Sequence, residues 1–246
     1  MRTALAFLIV ACLGQRTAQA GRSFYGWLYG TEVMPERGVE LQTWIVEQND
    51  KYGSGGRDSS LWWGPLIGIT DRLELALPIE LEWTRTEGAE TTKTSFTFRR
   101  FGIEARYRLA SADPAEAPAF VPLIRLAAKR DVSVRDDLRL EGDLVASYEV
   151  GPVHALLDVG FVSDLQPHRS HNELRPGAGL SIRLASGLRF GGEVYSELAF
   201  DSQSQSWAAA GPNLAWTHGR FWFSGAFGIG IYHVKLAPRF MWGIAF

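Results

Sequence analysis

Cysteine is nearly absent: the 246 residues hold one, Cys12, inside the apolar run from Ala4 to Leu13. That run follows Met1 and Arg2 and is followed by Ala18, Gln19 and Ala20. Charge, short apolar region and A-x-A site in this order describe a secretory signal peptide over residues 1–20, with cleavage expected after Ala20. The rival is a lipoprotein-type box at Ile9, Val10, Ala11 and Cys12, which would leave a lipidated Cys12 behind an unusually short export signal. With cleavage after Ala20 the mature chain has no cysteine, which excludes disulfides and thiol chemistry although the compartment permits disulfides. Long apolar runs are absent too. No later segment approaches eighteen uninterrupted apolar residues, which rules out transmembrane helices. There is no excess of one charge, only a net −2 and a pI near 6.2, so the basic signature of nucleic-acid binding is missing. Glycine-rich phosphate loops and metal-binding helix motifs are not found either. The mean hydropathy of −0.06 is what a β-barrel gives, because lipid-facing and lumen-facing residues alternate and average out.

What the chain does have is alternation. In residues 72–85, Leu73, Leu75, Leu77, Ile79, Leu81 and Trp83 share one face and Glu74, Glu80 and Glu82 the other. The same scheme sets Leu138, Leu140 and Leu144 against Arg139, Glu141 and Asp143, and Leu174, Leu180, Ile182 and Leu184 against Glu173, Arg175 and Arg183. A period of two predicts strands. We expect twelve, near residues 38–48, 60–69, 72–85, 94–109, 119–129, 137–150, 153–163, 173–185, 188–199, 206–217, 220–229 and 236–246. Tight turns at Thr70-Asp71, Gly151-Pro152, Ser186-Gly187 and His218-Gly219 alternate with longer polar loops, and only the connector Ala110 to Pro118 is long where a short turn is due. Short turns on one side and long loops on the other are the outer-membrane pattern, the short ones being periplasmic. The expected fold is therefore all-β: a closed antiparallel up-and-down transmembrane barrel over 38–246, after the signal peptide and an aromatic but aperiodic periplasmic lead-in over 21–37.

Alternation does not say which face points outward, since a soluble lipocalin-like barrel has the same period with the apolar face inside. Three features favour lipid. Both charge signs run along the polar face, as an interior ion-pair network requires. Aromatics fall near the proposed strand ends, as interfacial girdles do: Trp62, Trp63, Trp83, Phe96, Phe98, Tyr107, Tyr148, Phe161, Trp207, Trp216, Phe221 and Trp222. The last eleven residues alternate with Phe240, Trp242, Ile244 and Phe246 on one face and Arg239 on the other, and so resemble the closing strand of bacterial outer-membrane barrels, which ends on Phe and is read by the assembly machinery. This strand is expected to pair with 220–229 and with 38–48.

A second resemblance lies in Gly64 to Leu75, GPLIGITDRLEL, preceded by Glu32, Pro35, Gly38 and Glu40. It is similar to the transporter-type barrels of Gram-negative bacteria grouped with the MetA-pathway phenol-degradation type, which share an E-x-x-P-x-x-G-like opening and a G-[IL]-T-D-R-x-E turn. Ile67 departs from the aromatic that often precedes the glycine. The resemblance implies an outer-membrane barrel and suggests transport. On the residues alone, Gly68 relieves crowding before a tight turn and Asp71 bonds its own backbone there.

Twelve strands lie between a barrel filled by side chains and one holding an aqueous channel. The expected lumen residues are Glu74, Glu80, Glu82, Glu104, Arg106, Arg125, Arg139, Glu141, Asp143, Arg175, Arg183, Arg189, Glu193 and Glu197. They either line a narrow polar pore or zip it shut with salt bridges. An enzymatic alternative sits at the Gly151-Pro152 hairpin, where Ser147, Glu149, His154 and Asp158 share a face; a cross-strand pair stabilising the turn is the plain reading. His168 and His171, with Asp164 and Glu173, lie in a proposed external loop and are read as solvated rather than as a metal site. The chain is thus expected to be a non-enzymatic outer-membrane barrel without cofactor or metal, partnered by membrane lipid and the assembly machinery, and passing small solutes; a closed structural barrel and a lipid hydrolase are the alternatives.

Overall fold

The computed structural model describes residues 23–87, 92–111, 116, 118–134, 136–167, 169–200 and 205–246. The proposed signal peptide, with Cys12 and Ala20, lies outside the described residues, as does His168. Thirteen strand segments form one sheet: β1 (Val39–Asn49), β2 (Arg57–Thr70), β3 (Leu73–Ala76), β4 (Ile79–Glu87), β5 (Thr92–Arg108), β6 (Phe120–Asp131), β7 (Leu138–Val150), β8 (Val153–Gln166), β9 (Arg169–Ala185), β10 (Leu188–Ala199), β11 (Trp207–His218), β12 (Phe221–Tyr232) and β13 (Leu236–Ala245). Apart from β3 and β4, which do not pair with each other, each pairs antiparallel with its chain neighbours. β3 and β4 are two halves of one stave, both lying between β2 and β5. The break falls at Leu77-Pro78, because proline has no N–H to give to the ladder. There are thus twelve staves.

β13 closes the ring. Ile244 opposes Leu41 of β1 on one side and Phe221 of β12 on the other. Phe246 N donates to Val39 O at 2.8 Å. Among the described residues no strand is left as an edge, which is how a sheet avoids exposing unpaired ladder groups to hydrocarbon.

Burial answers which face is outward. Along β7, Leu138, Leu140, Leu144 and Tyr148 are exposed while Arg139, Glu141, Asp143 and Ser147 are buried. A soluble barrel would show the reverse. Phe240 and Ile244 are exposed on β13, as is Phe246 just after it, with Trp242 half-buried beside them, and Arg239 is inside. The girdle reading needs correction at three tryptophans. Trp62, Trp207 and Trp222 are at most 3% exposed and face the lumen, whereas Trp63 and Trp216 face outward. In a strand adjacent residues take opposite faces, so composition near a strand end does not separate Trp62 from Trp63. The strands also outrun the expected limits. β8 and β9 stay paired as far as Gln166 and Arg169, which puts His171 in a strand, its Nε2 2.7 Å from Glu173 Oε1.

Candidate functional site: the lumen and its inner loop

The segment read as a periplasmic lead-in is folded back inside the barrel. Phe24 and Tyr25 lie low in the lumen near the short-turn end, beside His154 on β8. The chain rises to an apex at Trp27 and Tyr29. It then descends past Ser147, where Thr31 Oγ1 lies 2.6 Å from the serine Oγ, to Met34 at Glu74 and into β1. Tyr25, Leu28 and Met34 are at most 1% exposed.

The physical problem for such a loop is its backbone, because no strand partners it. Lumen charges take that role. Glu193 accepts from Gly26 N at 2.9 Å and Trp27 N at 3.1 Å, Asp158 from Tyr29 N at 2.9 Å, and Glu74 from Met34 N at 2.6 Å. The carbonyls are met by arginine: Arg106 donates to Gly30 O at 2.6 Å and Arg239 to Trp27 O at 3.3 Å. Side chains seat in holes. A Cβ on Gly177 would collide with Leu28 and one on Gly179 with Tyr25, so the two glycines of β9 are the sockets for these knobs. The apex is held by aromatics, Trp27 stacking on Tyr195 at 4.8 Å and donating from Nε1 to Ala237 O at 2.8 Å.

The same contacts give the two similarity-bearing motifs a common cause. Gly68 lies directly against Pro35 O, and Arg37 N donates to Gly68 O at 2.9 Å. Asp71 Oδ1 accepts from Glu36 N at 3.0 Å rather than from its own turn, where Thr70 Oγ1 takes Arg72 N and Leu73 N. The opening E-x-x-P-x-x-G and the G-I-T-D-R-L-E turn are two sides of one joint, the place where the loop leaves the lumen.

Above the loop the wall is lined by ion pairs. Arg125, 1% exposed, donates to Asp143 at 2.6 Å and to Glu104 and Glu141 at 2.7 Å each. Lys129 donates to Glu80 at 2.7 Å and Arg139 to Glu141 and Asp164 at 2.7 and 2.8 Å. Arg175 joins Glu173 at 2.7 Å and Glu197 at 3.4 Å, and Arg99 reaches Glu82 at 3.6 Å; lower down, beside the descending limb of the loop, Arg106 meets Glu74 at 2.9 Å. Arg183 and Arg189 both donate to Glu149 near the short-turn end, Arg183 with half its side chain exposed. Lys129, Arg99, Arg100 and Asp164 belong to the network and were not anticipated; Lys129 keeps the parity of Arg125 but falls at the expected strand end. Loop residue Lys51 lies 3.4 Å from Glu197; burial, the largest single influence, depresses its pKa, but Glu197, Tyr52 and Glu173 together hold it above the usual ammonium value.

Of the four groups of the enzymatic alternative, Glu149 and His154 stand opposite each other across the β7–β8 ladder, and each of the four has another hydrogen-bond partner. His154 meets Tyr25, Ser147 meets Thr31, Glu149 meets arginine and Asp158 meets the Tyr29 amide.

Between the loop apex and the long-loop end remains a vestibule of about 300 Å³. Trp27 and Tyr29 make its floor, Trp44 and Trp62, stacked at 5.7 Å, form one wall, and the ion pairs form the other. Beyond Tyr29, Trp44, Trp62 and Arg239 lies a crevice of about 30 Å³, and a separate cavity of about 520 Å³ opens at the short-turn end beside Phe24, Glu149 and Arg189. The loop thus narrows the lumen at mid-height.

No protein-family model matches the chain, and no curated protein matches it. Among solved structures, the fold is similar to the COG4313 outer membrane channel from Pseudomonas putida F1, with a TM-score of 0.58 and 11% identity over 88% of this chain and 98% of that one. It is also similar to the translocator domain of autotransporter NalP from Neisseria meningitidis, with a TM-score of 0.51 and 10% identity over 85% of this chain and 88% of that one. At these identities the likeness is one of architecture: the chain has the fold of the outer-membrane β-barrels.

Proposed function

We propose that the protein resides in the outer membrane and acts there as a passive facilitator for small solutes, with the inner loop as the removable part of its diffusion path. The observation that carries this reading is the contrast between wall and obstruction. The wall is a ladder of backbone hydrogen bonds, whereas the loop that separates vestibule from crevice is held, between Phe24 and Met34, by hydrogen bonds that each involve a side chain, and joins the sheet's backbone only at its exit, through Arg37 N and Gly68 O. A segment of that kind opens at lower free energy than the sheet. The outward placement of Phe240, Ile244 and Phe246 supports the companion proposals that lipid surrounds the barrel and that the assembly machinery reads β13. The reading is non-enzymatic, supported by the separate engagements of Ser147, Glu149 and His154.

The second reading, a closed structural barrel, is favoured by the ion pairs on the wall. Planar-bilayer recording on the mature protein and on a Trp27→Ala/Tyr29→Ala variant separates the two. A facilitator gives small or infrequent steps that become larger or more frequent in the variant. Silence from both proteins, folded and inserted, would leave the closed barrel standing.

A further inference from the structure

The vestibule is nearly balanced in charge, and almost every charge in it is spoken for. Of the charged side chains that line it, only Asp58, Asp158 and Arg239 have no ion-pair partner among the described residues. Asp58 stands at the mouth, one residue from the start of β2. The other two are on the floor and deeply buried, Asp158 at 3% and Arg239 at 6% exposure. Asp158 spends Oδ2 on the Tyr29 amide and keeps Oδ1 without a partner. Arg239 gives one bond to the Trp27 carbonyl and keeps Nε without a partner, its guanidinium lying 4.1 Å over the Trp44 ring. Burying polar atoms unsatisfied costs free energy that a fitting ligand recovers.

Position adds direction. Arg239 is on β13 and Asp158 on β8, five staves apart in a ring of twelve, so they stand nearly across the lumen from each other. Both reach inward to the loop apex, Arg239 to Trp27 O and Asp158 to Tyr29 N, two residues apart, and the stacked pair Trp44 and Trp62 stands beside Arg239. A free guanidinium suits a carboxylate, a free carboxylate suits an ammonium, and an indole wall suits a planar apolar group. A volume of about 300 Å³ sits at the small end of ligand pockets.

From this juxtaposition we infer that the vestibule floor binds small zwitterions of the amino-acid class bearing an aromatic or apolar side group, with the carboxylate toward Arg239, the ammonium toward Asp158 and the ring on Trp44 and Trp62. The inference rests on the facilitator reading for its biological sense, but it concerns binding and is tested without transport.

Equilibrium binding of labelled L-phenylalanine to the mature protein in lipid nanodiscs is compared with 3-phenylpropionate, which lacks the ammonium, and phenethylamine, which lacks the carboxylate. Each analogue is expected to bind about tenfold more weakly, the loss of one charge-assisted contact. Asp158→Asn should abolish the preference over 3-phenylpropionate and leave that over phenethylamine; Arg239→Gln should do the reverse. Should either variant fail to fold, the ranking of the three ligands on the unaltered protein decides by itself. Equal binding of all three, tighter binding of a singly charged analogue, or no binding overturns the inference. Failure here leaves bilayer conductance untouched, and silent bilayers leave the binding result untouched, so the two readings fall separately.

Discussion

Arg125 shows what a single residue does in this barrel. It sits opposite Asp143 across the β6–β7 ladder and reaches Glu104 and Glu141 as well, so one cation serves three carboxylates in a space it nearly fills. Removing one partner of a buried cluster strands the others, and Arg125→Met is expected to cost about 3–5 kcal/mol. Urea unfolding of the refolded barrel in detergent measures this. The comparison is Arg130→Met, whose pair with Asp136 is solvent-exposed and whose loss should stay below about 1 kcal/mol. Equal losses would mean that the interior cluster is no more than a surface pair in kind. The charges of this face are visible in the sequence as a polar parity. Which carboxylate meets which cation is not, because partners such as Arg139 and Asp164 belong to different strands and meet only through register.

At the scale of elements the inner loop is the decisive piece. Its seat depends on Gly177 and Gly179, which leave the room that Leu28 and Tyr25 occupy. Gly179→Leu should fill one socket and loosen the loop while the wall stays closed. Limited proteolysis of the folded protein then should cut ahead of Gly38 about tenfold faster, the change that corresponds to ~1.4 kcal/mol of lost seating. An unchanged rate would show that the loop is held by its hydrogen bonds to Glu193, Asp158 and Glu74 and not by its knobs. The segment escaped a reading by periodicity for a physical reason. A chain packed on all sides inside a lumen has no single outward face, and so no period. The signal that remained was density: Phe24, Tyr25, Trp27, Leu28 and Tyr29 crowd into a stretch that a free lead-in has no reason to make apolar.

For the whole molecule, the proposed lipid surroundings decide what the outer face tolerates. Leu144 lies mid-strand on β7 with its side chain outward and 64% exposed. Leu144→Arg should lower the stability of the barrel folded in lipid bilayers by about 2–4 kcal/mol, the cost of a charge near the bilayer midplane. Unfolding titrations in bilayers provide the measurement, and an unperturbed barrel would contradict the lipid-facing assignment. The inward neighbour Asp143 carries charge on the same strand at no such cost, since its partner Arg125 is 2.6 Å away.

Alternation alone determined that this chain forms about twelve strands and, to within a few residues, where most of them begin and end. Those properties are local and repeat every two residues, so a linear pattern records them. Tertiary structure decided which face meets lipid where two tryptophans stand side by side, as at Trp62 and Trp63. It also decided that the N-terminal segment fills the lumen, and that Asp158 and Arg239 are left unpaired above it. Those properties depend on closure of the ring, which brings β8, β13 and residues 23–38 to one level from places far apart in the chain.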